Sequence, residues 1–209
     1  MITIYGCYRS RASRPLWLLA ETGTPFTHVP VIQAYRLPDA DAPDAPVNTR
    51  SPAYLAVNPI GQIPAMVEGD LMLSESLAIC LHIARAHGGS LGGQTHAEQA
   101  LLENWALFAA TSIEPHSLAI MQGKDAGLIA VEAAKLSRGF ARLEAHLAGR
   151  EWLLDRFTVA DIMVAECARY AQGHAELMQT YPLLAEWLKR CQARPAFQTM
   201  WVTRNAEPA

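Results

Sequence analysis

The sequence has no Cys-x-x-Cys pair, no apolar run long enough to cross a bilayer and no surplus of basic residues. Its four cysteines (Cys7, Cys80, Cys167 and Cys191) are scattered along the chain. Neither a zinc knuckle nor a dithiol redox centre is written here, no metal is expected, and reduced intracellular thiols follow. Lys and Arg number 17 against 20 Asp and Glu, a net charge of −3. Without a basic run there is nothing to displace counterions from a phosphate backbone, which argues against a nucleic-acid partner. No stretch approaches the roughly 20 apolar residues of a membrane helix. Met1 leads at once into the strand-like Ile2-Thr3-Ile4-Tyr5, not into the basic and apolar regions of a secretory signal. A cytoplasmic protein with no membrane partner is therefore expected. What remains is an ordinary globular composition, 51% hydrophobic and 18% charged over 209 residues, enough for one large domain or two small ones.

The first third alternates strands and helices. Ile2 to Tyr5 reads as a strand, Ser13 to Thr22 as a helix stopped by Gly23, and Phe26 to Ile32 as a second strand. Pro38 to Pro46 holds three prolines and three aspartates in nine residues and reads as a solvated loop. A short helix is expected over about Pro52 to Val57. Ala65 to Glu68 and Leu71 to Ser74 flank Gly69-Asp70, a hairpin signal, and a helix follows from about Glu75 to Ala86. The glycine-rich 88–93 stretch reads as a linker. Beyond it the periodicity is helical: Leu101, Trp105, Phe108 and Ser112 on one face, Leu136, Phe140, Leu143 and Leu147 on another, Leu184, Trp187, Leu188 and Cys191 on a third. The shift in pattern near residue 90 argues for two domains, 1–86 and 94–209, with no internal repeat.

Two segments carry chemistry. Pro64, before a strand and after an apolar residue, is a candidate cis proline. A cis Ile63-Pro64 bond would offer the Ile63 backbone to an extended peptide, as in strand addition. A trans proline opening an edge strand is the plain alternative. Ser74-Glu75-Ser76 lies between a strand and a helix. The helix N-terminus with the Ser76 hydroxyl suits a carboxylate, and Glu75 suits an ammonium. Together these are the head group of an α-amino acid, although Ser and Glu are also ordinary first-turn residues. Further on, Thr158 and Asp161 have the spacing of a capping box, a structural role in which losing Thr158 costs about 1 kcal/mol.

Asn58-Pro59-x-Gly61-Gln62-Ile63-Pro64 followed by Leu73-Ser74-Glu75-Ser76-x-Ala78-Ile79 resembles the glutathione-site signature of the glutathione S-transferases. Ser13 to Glu21 is similar to the first helix of many bacterial members, and Phe157 to Ile162 to the capping box of the helical domain, so the likeness covers nearly the whole chain. It implies an α/β thioredoxin-like N-terminal domain, an all-α helical bundle domain, and a theta- or beta-like homodimer using glutathione as co-substrate against a small apolar electrophile. It also implies that Gln62, Ile63, Pro64, Glu75 and Ser76 hold glutathione, with Arg50 a weaker candidate.

The chemistry needs a thiolate. Lowering a thiol pKa of about 8.5 by two units takes about 2.7 kcal/mol, and one hydrogen bond to a charged group supplies about 1.5–3 kcal/mol. One hydroxyl, helped by a helix N-terminus, suffices. By resemblance, Ser10 is the first candidate: it stands four residues before Arg14, as the activating serine does in theta- and delta-like classes. Tyr5 is an alternative on the pattern of the tyrosine-using classes. Cys7 would instead make a mixed disulfide, as in thiol-transferring members. Ser13 reads as an N-cap. A third possibility is a non-catalytic interaction module of the same fold. The second-substrate pocket is expected between the Gly6–Arg11 loop and a long helix from about Ala97 to Met121. That helix carries Trp105, Phe108, Glu114, His116 and Met121, mostly as packing, and is kinked by Pro115.

Overall fold

Residues 1–207 are described by the computed structural model. Along the chain run β1 (Ile2–Tyr5), α1 (Ser13–Thr22), β2 (Phe26–Val29), α2 (Pro52–Leu55), β3 (Ala65–Glu68), β4 (Leu71–Ser74), α3 (Ser76–His87), α4 (His96–Phe108), α5 (Glu114–Gln122), α6 (Ala126–Leu147), α7 (Val159–Ala168), α8 (Ala175–Thr180), α9 (Pro182–Gln192) and α10 (Pro195–Ala206). They form two compact units. One joins Met1–Gly88 to the distant segment from Pro195 onward, and the other is Gly89–Arg194.

In the first unit, alternation sets the sheet. Ile2 and Ile4 are buried while Thr3 and Tyr5 are half-buried, so β1 has one face in the core. The strand order is β2-β1-β3-β4, with β1 and β2 parallel and the other pairs antiparallel. This is the thioredoxin-like arrangement. The second strand is shorter than the sequence suggests, ending at Val29 and not at Ile32. Pro30 has no N–H to continue the ladder, the Val31 N–H turns to the Gly6 carbonyl at 3.3 Å, and Ile32 makes an isolated bridge to Asn48. Ser13 is not the expected cap: Ala12 precedes α1 in helical conformation, without a side-chain cap. Helix α1 is buried almost all round because it packs against both α3 and α10, with the Trp17 and Phe197 rings 4.9 Å apart.

The second unit is mostly helical. The 136/140/143/147 and 184/187/188/191 stripes are buried. On α4 the buried residues are Leu102, Trp105, Ala106 and Phe108, whereas Leu101 is exposed, a shift of the face by one residue. The long helix does not run unbroken to Met121: a π-helical turn, Ala109–Ile113, separates α4 from α5. Pro115 lacks an N–H and crowds the turn before it, so a widened turn is the least costly accommodation. Gly139 on α6 admits that bulge, since a Cβ there would lie 2.6 Å from Ile113 Cδ1. The capping box is formed: the Thr158 N–H donates to Asp161 Oδ2 at 2.9 Å, while Oδ1 accepts from the Leu153 N–H at 3.0 Å and from Trp187 Nε1 at 2.9 Å. Burial pushes Asp161 up to about 6 despite these bonds. The 88–93 stretch is ordered on its second-unit side, where Arg156 donates to the Ser90 and Gly92 carbonyls and pairs with Glu98 at 2.7 Å. No helix among the described residues is long and apolar enough to cross a membrane.

Candidate functional site

Register brings the sequence-predicted segments together. Tyr5 pairs with Ala65 across β1 and β3, and Ala65 with Ser74 across β3 and β4. The loop after Tyr5, the Ile63-Pro64 peptide before Ala65 and the Glu75-Ser76 step after Ser74 therefore open at one end of the sheet. With neighbouring strands about 4.8 Å apart, the three strand ends span roughly 10 Å.

The middle segment is held from behind. The Ile63-Pro64 peptide is cis; Pro64 is buried, Ile63 half-buried and the Gln62 side chain exposed. The Gln62 carbonyl accepts from the Tyr54 hydroxyl in a short hydrogen bond and from Asn58 Nδ2 at 2.7 Å. Burial pushes the Tyr54 phenol up to about 12, which keeps it a donor. Neither Tyr54 nor the role of Asn58 was singled out from sequence. An apolar position four residues before Asn58 gives no sign that its hydroxyl reaches Gln62.

At the third segment Glu75 is exposed and has φ +67° and ψ 106°, a conformation costly for a side-chain-bearing residue, by about 1–3 kcal/mol. Ser76 is buried and opens α3. Its hydroxyl oxygen accepts from Arg14 Nη1 at 2.8 Å, so its own proton remains to be donated. A backbone held in a rare conformation, with an exposed carboxylate beside a buried hydroxyl at a helix start, suits a zwitterionic head group.

The first segment is the loop 6–12. Gly6 has φ +148°, and a Cβ there would meet Ala12 Cβ at 2.9 Å, so the tight start of the loop requires glycine. The Ser10 hydroxyl donates to the Cys7 carbonyl at 2.7 Å and accepts from the Ala12 N–H at 3.0 Å. Cys7 is buried, its thiol donating to Gln33 Oε1 at 3.4 Å with Arg36 Nη1 at 3.9 Å. Burial, and then the Glu207 carboxylate, push that thiol up, away from the thiolate a nucleophile needs. Tyr5, like Val29, Val57 and Ile63, packs against the buried cluster of Val31, Tyr54 and Ala65, its ring 6.2 Å from that of Tyr54.

Arg50 is exposed and reaches Asp41 at 3.4 Å, a tie to the Pro38–Pro46 loop. That loop is closed by Asn48, buried, whose Nδ2 donates to the Ala40 and Pro46 carbonyls at 2.9 and 3.0 Å. In the second unit, Trp105 and Phe108 are buried beneath Arg142, whose guanidinium carbon lies 5.2 and 4.3 Å from their centroids. Glu114 is buried beside Cys167. His116 pairs with Glu132 at 2.7 Å, and Met121 is exposed.

Residues 1–85 match the family described as "Glutathione S-transferase, N-terminal domain", and residues 122–190 match "Glutathione S-transferase, C-terminal domain". Among individual proteins, the chain is similar to glutathione S-transferase 4 of Zea mays, 29% identical over 211 residues that cover 93% of this chain and 89% of that protein. It is 32% identical to glutathione S-transferase 3 of Zea mays over 166 residues, 71% of this chain and 74% of the other. Among solved structures, glutathione S-transferase-I bound with lactoylglutathione superposes with a TM-score of 0.80 at 26% identity, covering 97% of this chain and 99% of that one.

Proposed function

The chain belongs to the glutathione S-transferase family and is a glutathione transferase, and from that premise we propose how its residues divide the work. Glutathione lies across the open end of the sheet. Its γ-glutamyl ammonium meets Glu75 and its γ-glutamyl carboxylate meets the Ser76 hydroxyl and the start of α3. The cysteinyl backbone pairs with that of Ile63 beside Pro64, and Gln62 contacts the glycine end. The observation that carries this assignment is the register Tyr5–Ala65–Ser74, which gives one extended tripeptide three adjacent partners. The neighbour bound with lactoylglutathione supports it.

Ser10 supplies the hydrogen bond to the thiolate. Its proton now goes to the Cys7 carbonyl, and rotation about one bond redirects it. Exchanging a neutral hydrogen bond, about 0.5–1.5 kcal/mol, for one to an anion, about 1.5–3 kcal/mol, favours the redirected state. The Ala12 N–H bond to Oγ keeps the oxygen in place. The glutathione thiol gives up its proton to solvent, and the thiolate lone pair then forms a carbon–sulfur bond with a small apolar electrophile, whose leaving group departs with its electron pair. Cys7 is not the nucleophile in this scheme, since its thiol is buried and biased towards the protonated form. The enzyme works as a cytoplasmic homodimer; the exposed apolar side chains of Ile60, Leu71 and Met72 on the first unit support a covered surface there.

Calorimetric titration of glutathione into the wild type, Ser10→Ala and Glu75→Ala tests the scheme. Glu75→Ala should weaken binding by about 2 kcal/mol or more. Absence of binding by the wild type would remove the glutathione site altogether and leave the fold serving a protein partner.

A further inference from the structure

The loop that carries Ser10 is held by residues almost two hundred positions away. The Glu207 carboxylate accepts from two consecutive backbone groups, the Tyr8 N–H at 2.8 Å and the Arg9 N–H at 2.9 Å. Arg204 Nη1 donates to the Tyr8 carbonyl at 2.7 Å. Arg9 returns the contact, its Nε donating to the Arg204 carbonyl at 3.1 Å and its Nη2 to the Asn205 carbonyl at 3.5 Å. Successive N–H groups closed on one anion form a nest, and bonds to a carboxylate are about twice as strong as neutral ones. The anchor is itself fixed: Phe197 and Met200 of α10 are buried, and Phe197 stacks on Trp201 at 5.4 Å. By contrast, the local backbone–backbone bonds at the end of the loop are longer, with the Ser13 N–H to the Ser10 carbonyl at 3.2 Å and the Arg14 N–H to the Arg11 carbonyl at 3.3 Å.

We infer that Glu207 is a positioning residue for thiolate formation: by holding the Tyr8 and Arg9 amides it sets where the Ser10 hydroxyl stands relative to the glutathione sulfur. This rests on Ser10 being the thiolate donor. The physical argument is one of tolerance. A donor displaced by about 1 Å costs on the order of a hundredfold in rate, and a loop whose Tyr8 and Arg9 amides are freed is no longer held to that tolerance. The γ-glutamyl contacts at Glu75 and Ser76 lie on another segment, whereas the Glu207 carboxylate bonds the Tyr8 and Arg9 amides. The effect therefore belongs in kcat and not in glutathione affinity.

The test is a double-mutant cycle of Glu207→Ala with Ser10→Ala, and Glu207→Gln alongside, using glutathione with chlorodinitrobenzene and calorimetry for glutathione binding. Glu207→Ala should lower kcat ten- to a hundredfold with glutathione Kd changed less than threefold. Glu207→Gln, which keeps one acceptor, should fall between it and the wild type. In the Ser10→Ala background, Glu207→Ala should lower kcat little further, because the donor it positions is already gone. Equal losses in both backgrounds, or a matching loss of glutathione affinity, would show a general structural role and overturn the inference. A silent Glu207→Ala beside a damaging Ser10→Ala overturns it alone. A silent Ser10→Ala overturns the donor assignment on which it rests.

Discussion

Arg14 and Ser76, 62 positions apart and both buried, are joined by a 2.8 Å hydrogen bond from guanidinium to hydroxyl. The bond ties α1 to the first residue of α3 and fixes the direction of the only proton Ser76 can give. The helix that follows the Ser10 loop and the helix that opens at Ser76 are thereby set against each other.

Replacing Arg14 by Met should therefore act at a distance. It removes a charged donor from a buried site, with an expected loss of about 2–3 kcal/mol in stability, and frees the Ser76 hydroxyl to rotate. Glutathione Kd should rise about tenfold. Denaturant titration and calorimetry measure the two effects; unchanged affinity in a folded variant would show that the orientation of Ser76 is irrelevant to binding.

Glu75 should separate stability from function. Its φ of +67° is open to glycine at little cost. Glu75→Gly is expected to raise stability by about 1 kcal/mol while weakening glutathione at least tenfold, whereas Glu75→Ala keeps the strain and loses the same affinity. Melting curves of both variants, compared with their calorimetric constants, decide the matter. A less stable glycine variant contradicts the strain argument.

Ser10→Ala should raise the apparent pKa of the glutathione thiol, read from the pH dependence of kcat/KM, by about two units. It should also cost about 1 kcal/mol of stability, because the Ala12 N–H loses its side-chain acceptor. An unchanged pH profile removes Ser10 as donor and reopens the site to Tyr5.

Cys7→Ser should leave conjugation within a few-fold of the wild type. In the wild type, Cys7 should react with iodoacetamide at neutral pH more slowly than a free thiol does, since burial and Glu207 raise its pKa and only the thiolate reacts. Fast labelling at Cys7, read by mass spectrometry, would restore the mixed-disulfide alternative.

Asp161 gives a pH signature of the opposite sign to that of most carboxylates. Its folded pKa of about 6 lies above the ordinary value of 3.8, so the folded state binds the proton more tightly. The stabilisation is full below the ordinary value and is lost as pH rises through about 6, a total of about 3 kcal/mol. The stability of the wild type relative to Asp161→Asn should fall between about pH 4 and 6 and then level off. A rise across that window would mean that the three N–H donors around the carboxylate outweigh its burial.

Local signals were legible and long-range ones were not. The hairpin at Gly69-Asp70 and the stripe from Leu136 to Leu147 each rest on residues within a turn or two of one another, and periodicity or turn chemistry exposes them; at Ile63-Pro64 the sequence leaves cis and trans open, and the bond is cis. The π turn is half legible: Pro115 announces a disturbance, but whether the helix kinks or widens depends on the space that Gly139 leaves, which no pattern reports. Asn48, Tyr54, Asn58 and Glu207 escaped because each acts through a polar atom on a backbone group of another segment. An Asn that closes a loop and an Asn that faces water look the same in sequence.

Helix α10 lies against α1, with Phe197 on Trp17, although all of Gly89–Arg194 lies between the two in the chain. During synthesis the four-stranded sheet is translated early, yet the Trp17 face stays uncovered and the Tyr8–Arg9 amides stay open until Phe197 and Glu207 have left the ribosome. The nascent first unit must wait, with an aromatic surface exposed, for a helix made more than a hundred residues later. A fragment ending at Gly88 is thus an unfinished module, a natural client for chaperones, and a premature stop anywhere in the second unit would disable the first as well.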